Sequence, residues 1–283
     1  MTVPAAYARR LLFAVLLVAG LLAATGSLSA NAASTVIPTG ARTQGVRYGI
    51  DVSHWQGRIA WHKVRNSGIR FAIAKATDGL RGVDGSYHRN SRMARRAGIA
   101  FTAYHFARPA AGVANARAQA DFFVDHAKLQ PGDLVPALDL EKSGGLGPVA
   151  LQRWVMAFLV RVEQRLGVKP MVYTSPGFWT GPMANTRTIA RAGFRVLWVA
   201  HWGTQRPSVP AKQWNGIGWT IWQWTKCGRV DGIQGCVDRD ALSGFRLQNL
   251  TIASQRPHLM HSGLPNGVVP EPDGSSVADG VSW

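Results

Sequence analysis

Two carboxylates stand at the end of an apolar run in the segment PALDLEKSGG, residues 136–145. Asp139 and Glu141 are separated by a single leucine. If the run is a β-strand, residues i and i+2 share a face, and their Cα atoms lie about 6.6 Å apart. Mutual repulsion then raises the pKa of at least one carboxyl group. A carboxyl group that keeps its proton near neutral pH can serve as a general acid.

Other acidic and aromatic residues stand at the ends of further apolar runs. Asp51 ends the first run, and Asp238 opens the last. Candidate binding side chains stand at similar points of the runs between them: Tyr104, Tyr173, Trp198, His201, Gln223 and Trp224. Aromatic rings stack on sugar faces, and paired carboxylates act on glycosidic bonds, so this set favours a neutral sugar polymer. The alternative is that the tryptophans are core residues and the acids cap helices.

The elements that position these side chains repeat one pattern, an apolar run followed by a turn and a helical stretch. Eight runs are candidate strands: RYGIDVS, RFAIAKAT, IAFTAYHFA, LVPALDLE, KPMVYTS, RVLWVAHW, GWTIWQWT and CVDRDAL. Continuously apolar strands are typical of a parallel sheet covered by helices on both faces. We therefore predict an α/β fold, a closed TIM-like barrel with its chemistry at the carboxyl ends of the strands. A doubly wound open sheet is the alternative, but no nucleotide-binding glycine motif supports it.

The weak helical patterns between the later strands predict an irregular barrel.

The N-terminal region has the pattern of a secretory signal peptide. Arg9 and Arg10 precede an apolar run over residues 11–24, and Ala30-Asn31-Ala32 fits a cleavage site. We predict a signal peptide over 1–32, a leader linker over 33–45, a catalytic barrel over 46–250, and a loosely ordered Pro/Gly/Ser-rich tail over 251–283. The mature protein would be extracellular with no membrane span, and an uncleaved membrane anchor is the alternative.

The two cysteines, Cys227 and Cys236, are expected to form a disulfide in an oxidising compartment. A loop of this size would contribute about 2.7 kcal/mol in the chain-entropy model. Two free buried thiols are the alternative.

The chain is strongly basic, with 32 Lys and Arg against 15 Asp and Glu. Such a charge predicts attraction to polyanions, with anionic wall polymers, anionic membranes and extracellular nucleic acid as candidates. A basic surface that only aids solubility is the alternative.

Eight motifs in order carry a family resemblance: GIDVSHWQG, FAIAKATDG, AYHFARP, ALDLE, MVYTS, LWVAHW, IWQW and GCVDRD. Together they resemble the secreted muramidases of glycoside hydrolase family 25 over Gly49 to Arg246. The resemblance implies an irregular (β/α)5(β)3 barrel in a single domain. It also implies cleavage of the β-1,4 bond between N-acetylmuramic acid and N-acetylglucosamine in peptidoglycan, without metal or cofactor.

The resemblance also implies roles for the acidic residues. Glu141 would be the general acid, and Asp139 would orient the 2-acetamido group of the substrate as it attacks the anomeric carbon. A direct nucleophilic role for Asp139 is the alternative. Asp51 and Asp238 match the acids of the first and last strands and would shape the electrostatics around the sugar. Tyr173 could donate a hydrogen bond near the reacting centre.

Two positions depart from the family pattern. Asp240 stands where an asparagine is common, and Asp78 stands where glutamate is frequent. No wall-binding repeat follows the barrel, so wall affinity would come from the groove and the basic surface, with anionic wall polymers as contacts. We expect a monomer that binds peptidoglycan glycan strands and does not bind nucleic acid.

Two other functional classes remain. A chitinase-like hydrolase would act on N-acetylglucosamine polymers, but its usual D-x-x-D-x-D-x-E run is missing, since residues 134–141 read LVPALDLE. A non-catalytic cationic wall-binding protein would have no use for two carboxylates that repel each other.

Overall fold

The computed structural model describes residues 46–244 and 246–256. The predicted signal peptide and leader linker, and residues 257–283 of the predicted tail, lie outside the described residues. The strands are β1 Arg47–Val52, β2 Ile69–Asp78, β3 Gly82–Val83, β4 Ala100–Phe106, β5 Ala137–Asp139, β6 Met171–Thr174, β7 Leu197–Ala200, β8 Ile221–Gly228 and β9 Val237–Leu242. The helices are α1 Trp61–Asn66, α2 Tyr87–Arg96, α3 Val113–Ala127, α4 Pro148–Leu166, α5 Pro176–Thr180, α6 Thr188–Arg191 and α7 Ile252–Gln255.

Eight of these strands close into a barrel. The order runs β1-β9-β8-β7-β6-β5-β4-β2, and β1 pairs with β2 to complete the ring. The short β3 only extends the outer end of β2. The strands β1, β2 and β4 to β8 are parallel, whereas β9 is antiparallel to both of its neighbours. The closed TIM-like barrel is therefore confirmed, and the doubly wound open sheet is wrong.

The irregularity predicted for the later part of the barrel is present. Helices α3 and α4 are 15 and 19 residues long, whereas α5 and α6 have only five and four. A hairpin joins β8 to β9, and the Cys227–Cys236 disulfide closes it as predicted. Pro148 begins α4, and Gly167, in the left-handed conformation, ends it.

Two apolar layers explain why the strands read as continuous apolar runs. Side chains such as Phe71, Ile73, Met171 and Ile221 form a buried cluster, to which alternate strand residues contribute. The other residues of each strand form a second cluster with the helices, which includes Trp154. Both faces of the central part of most barrel strands are thus removed from water.

One connection has an unusual backbone. Between β7 and β8, Pro210–Gly216 forms a turn in which Ala211 to Asn215 all have φ between 48° and 57°. This is the left-handed helical conformation, which disfavours every residue with a Cβ. The buried Trp214 holds the turn, and its indole Nε1 donates to the carbonyl of Phe194 at 3.0 Å. Within the described part of the chain, no helix is both long and apolar enough to cross a membrane.

Candidate active site

The candidate catalytic acids meet at the carboxyl end of the parallel strands. Asp51 lies in β1 and Asp139 ends β5. Asp238 reaches the same rim because β9 runs in the opposite direction, so that its first residues, not its last, face the mouth. Asp238 lies directly opposite Asp51 in the β1–β9 ladder.

A cavity of about 160 Å³ opens at this mouth. Its lining is Asp51, Ser53, Trp55, Lys75, Tyr104, Phe106, Asp139, Glu141, Tyr173, Trp198, Gln223 and Asp238. All four candidate catalytic acids and four of the six candidate binding residues are therefore in one place. The cavity combines carboxylates with aromatic rings, as the sequence pattern predicted.

Asp139 and Glu141 differ in their surroundings although they line the same cavity. Strand β5 ends at Asp139, so Glu141 lies in the loop beyond it, where its side chain is exposed. Asp139 is only 5% exposed. Burial, and then the charge of Glu141, raise the pKa of Asp139 well above its usual range, while Lys75 opposes this effect. The predicted repulsion within the pair thus acts on Asp139.

One oxygen of Asp139 is available for a ligand. Its Oδ1 is buried and receives no hydrogen bond from any described residue. A buried carboxylate oxygen without a donor is costly, which makes it suited to a donor that the substrate brings. Lys75, the only cation among the described residues that line the cavity, is held by Asp78 at 2.7 Å.

A hydrogen-bond network fixes Asp51. The amide Nε2 of Gln223 donates to Asp51 Oδ2 at 2.7 Å. The Oε1 of the same amide accepts from the Tyr173 hydroxyl and from Trp202 Nε1, each at 3.0 Å. Burial, and then the charge of Asp139, raise the pKa of Tyr173, so this phenol remains a hydrogen-bond donor.

Asp240 lies deeper in the barrel than Asp238. It is fully buried, and its Oδ1 accepts from Trp198 Nε1 at 2.8 Å, while its Oδ2 has no donor among the described residues. Burial, and then the charge of Asp238, raise its pKa well above the usual range. Burial also raises the pKa of Asp238, to about 6. Both aspartates of the last motif thus belong to the site, at different depths.

Aromatic rings form part of the cavity wall. Trp198 packs against Tyr173 with ring centroids 4.4 Å apart, and against Tyr104 at 6.3 Å. At the rim, Trp55 is 82% exposed. It follows Ser53, whose side chain and Gln56 form a reciprocal capping box that fixes this turn.

Two candidate binding residues do not line the cavity. His201 Nδ1 instead accepts from the backbone N–H of Ser208 at 2.9 Å. Trp224 lies against the guanidinium of Arg239, 4.9 Å from its ring centroid. Strand alternation accounts for Trp224, since its neighbour Gln223 faces the cavity.

Four lining residues were not among the predicted site residues: Ser53, Trp55, Lys75 and Phe106. Lys75 had a visible signal, since it interrupts the apolar run that follows Arg70 in RFAIAKAT. Asp78, the second departure from the family pattern, accepts from both Lys75 and Arg108 at 2.7 Å. Although burial opposes it, these hydrogen bonds lower the pKa of Asp78, so it is an anionic partner for Lys75.

Known proteins with similar sequences and structures agree on one family. The sequence model of "Glycosyl hydrolases family 25" matches residues 50–233. Lysozyme M1 of Streptomyces globisporus is 38% identical over 226 residues, 76% of this chain and 73% of that protein. The N,O-diacetylmuramidase of a Chalaropsis species is 32% identical over 62% of this chain and 86% of its own length.

A solved structure supports the same assignment. The bacterial lysozyme from Streptomyces coelicolor has a TM-score of 0.67 and 33% sequence identity, covering 75% of this chain and 99% of that one. The family match spans more than half of the chain, and the barrel carries its acids at one mouth. The chain is a member of glycosyl hydrolases family 25.

Proposed function

We propose that this glycoside hydrolase is a secreted muramidase that cleaves the β-1,4 bond between N-acetylmuramic acid and N-acetylglucosamine in peptidoglycan. The observation that carries the proposal is the juxtaposition of Asp139 and Glu141 in a cavity walled by aromatic rings. The relatives named as lysozymes and muramidases support the same bond.

Glu141 acts as the general acid. Its exposed position beyond β5 gives it access to the oxygen of the scissile bond. It donates a proton to that oxygen while the carbonyl oxygen of the substrate's 2-acetamido group attacks the anomeric carbon. The C–O bond to the leaving sugar breaks, and a cyclic oxazolinium ion forms. Glu141 then accepts a proton from the water that opens this ring, so the reaction retains configuration.

Asp139 orients and stabilises the 2-acetamido group. Its buried Oδ1, which receives no hydrogen bond from a described residue, can accept the acetamido N–H. In this arrangement the pair holds a single proton, which is bound to Glu141 while Asp139 is ionised. The positive charge that develops on the acetamido group favours that anion. Direct attack by Asp139 on the anomeric carbon is the alternative.

Asp51 and Asp238 shape the field at the mouth. The Tyr173–Gln223–Asp51 chain of hydrogen bonds fixes the position of Asp51. Export through the predicted signal peptide 1–32 would bring the enzyme to its substrate. Within this proposal the protein acts as a monomer outside the cell.

The test is product analysis on purified peptidoglycan. The mature protein and its Glu141→Gln variant are incubated with peptidoglycan, and new reducing ends are reduced with borohydride and identified by mass spectrometry. We expect reduced muramic acid from the native protein alone. Reduced glucosamine ends would make the enzyme a glucosaminidase, and turnover of chitin oligomers without peptidoglycan would favour the chitinase-like reading. No new ends from either protein would favour a binding function.

A further inference from the structure

A second polar cavity lies at the opposite end of the barrel. Its volume is about 310 Å³, and three arginines line it, Arg47, Arg65 and Arg70. Arg47 begins β1 and Arg70 is the second residue of β2. The cavity is therefore at the amino ends of the strands, away from the catalytic mouth. None of the described residues that line it is acidic.

The three guanidinium groups retain unused donors. Arg70 Nη1 donates to the backbone carbonyls of Arg65 and Ile69, at 3.0 and 3.3 Å, which holds this side chain in place. Neither Arg47 nor Arg65 donates a side-chain hydrogen bond to any described residue. No described carboxylate lies within ion-pair distance of any of the three. A guanidinium has five N–H donors, so most of this capacity remains available to a ligand.

The buried acid that adjoins a lining residue in the sequence does not neutralise the cluster. Asp133, next to the lining residue Gly132, accepts two hydrogen bonds from Arg95, at 2.8 and 2.6 Å. It also accepts the N–H of Gln130 at 2.7 Å. Its charge is therefore balanced within that pair, and the three arginines give the cavity a net positive field.

We propose that Arg47, Arg65 and Arg70 form a binding site for the phosphodiester groups of an anionic wall polymer. The planar fork of arginine matches a phosphate with two parallel N–H donors, and converging arginines suit a ligand of repeated phosphates. The choice of a wall polymer over other polyphosphates rests on the proposed function, which places the enzyme in the wall.

The site is separate from the catalytic centre. Ala100 lines the arginine-lined cavity, here called the basal cavity, and Phe106 lines the catalytic cavity. The two residues are at opposite ends of β4. Six residues of strand span about 20 Å. A polymer held at the base leaves the mouth open, so the contact tethers the enzyme to the wall while the opposite end acts on glycan strands.

Binding can be measured without hydrolysis. Mature protein carrying Asp139→Asn and Glu141→Gln is co-sedimented with walls that retain their phosphodiester polymer and with the same walls stripped of it by hydrofluoric acid. To this background we add Arg47→Gln, Arg65→Gln and Arg70→Gln together. The matched control carries Arg92→Gln, Arg153→Gln and Arg191→Gln, three exposed arginines with the same total charge change. Competition with inorganic phosphate, with DNA and with the solubilised wall polymer uses equal phosphate concentrations.

We expect the basal triple variant to bind untreated walls about tenfold more weakly or worse, which corresponds to the loss of one charged hydrogen bond or more. The control should bind within about twofold of the parent on the same scale. Stripped walls should bind parent and variant equally. Inorganic phosphate should compete only weakly, because it offers one phosphate where the polymer offers several.

Several results would overturn the proposal. These are equal losses of wall binding in the two triple variants, or a difference between the parent and the basal variant that persists on stripped walls. Stronger competition by DNA than by the wall polymer would also overturn it. Full competition by inorganic phosphate would show a site for free phosphate instead. With Asp139 and Glu141 restored, the basal variant should digest polymer-free peptidoglycan at the parent rate. Failure of the parent to digest it would count against the proposed function and leave the binding result to stand alone.

Discussion

Asp51 and Asp238 face each other across the β1–β9 ladder, with Asp240 two residues further into the barrel. Burial raises the pKa of each of these carboxyl groups. In each case a neighbouring acid adds to the effect. The folded protein therefore retains protons at this mouth that an unfolded chain would release, and the site is maintained at a cost in stability.

That cost predicts a pH dependence for Asp238→Asn. The folded pKa of Asp238 is about 6, against an ordinary value of 3.8. Between these values the folded state binds more protons than the unfolded state, so this residue lowers the free energy of unfolding as pH rises. Urea unfolding should show the variant matching the parent below about pH 4 and exceeding it above about pH 6. A gain that is largest in acid would contradict the argument.

Asp240→Asn should stabilise the protein at neutral pH. An asparagine oxygen can still accept from Trp198 Nε1, and the neutral amide removes the cost of keeping an ionisable group buried beside Asp238. We expect a gain of at least about 1 kcal/mol at pH 7, where the aspartate of the unfolded chain is ionised, and a smaller gain at pH 4. Thermal unfolding at the two pH values checks this. Equal stability of the variant and the parent at pH 7 would mean that Asp240 carries no such penalty.

Glu141→Gln and Asp139→Asn should both reduce peptidoglycan hydrolysis, for different reasons. Loss of a general acid costs about 10²- to 10⁴-fold in rate. A substrate with an acidic phenol as leaving group needs little protonation, so it should restore the rate of the Glu141 variant far more than that of the Asp139 variant. Rates on aryl glycosides of graded phenol pKa measure this. Equal rescue of both variants would contradict the assignment of different roles to Glu141 and Asp139.

Glu141 is exposed, so its replacement should change the free energy of unfolding by less than about 0.5 kcal/mol.

Lys212→Gly should stabilise the left-handed turn. Lys212 is exposed and has φ 53°, a conformation that glycine adopts without the Cβ penalty. We expect the free energy of unfolding to rise by about 0.5–1 kcal/mol. The matched control is Gln164→Gly, at an exposed position of α4, which should lower it by about 1 kcal/mol. Losses of similar size in both variants would contradict the left-handed backbone.

Much of this architecture could be predicted from the pattern of apolar runs. Each of the eight predicted runs overlaps a barrel strand, because strands buried on two faces leave a strong signal. The acids at the ends of those runs also meet at one cavity. This part of the site follows from periodicity and from the direction of parallel strands.

The remainder depended on tertiary contacts. The left-handed turn has no glycine from Ala211 to Asn215 and is held by the distant contact of Trp214 with Phe194. His201 stands at the end of a predicted strand but accepts from a local backbone N–H. The spacing of residues within one strand does not predict these contacts.

The disulfide is a covalent link, here called the clasp, that closes the β8–β9 loop beside the mouth of the barrel. Cys227 and Cys236 join the ends of the loop between β8 and β9, and Asp238 follows two residues later. The loop itself rests on the backbone of Ala60 through the carbonyl of Gly232. Because the clasp sets the separation of its ends, the exposed residues of this loop can change in length or sequence without moving Asp238. The loop is therefore a suitable insertion site, where a targeting peptide could be added beside the substrate groove of an otherwise unchanged enzyme.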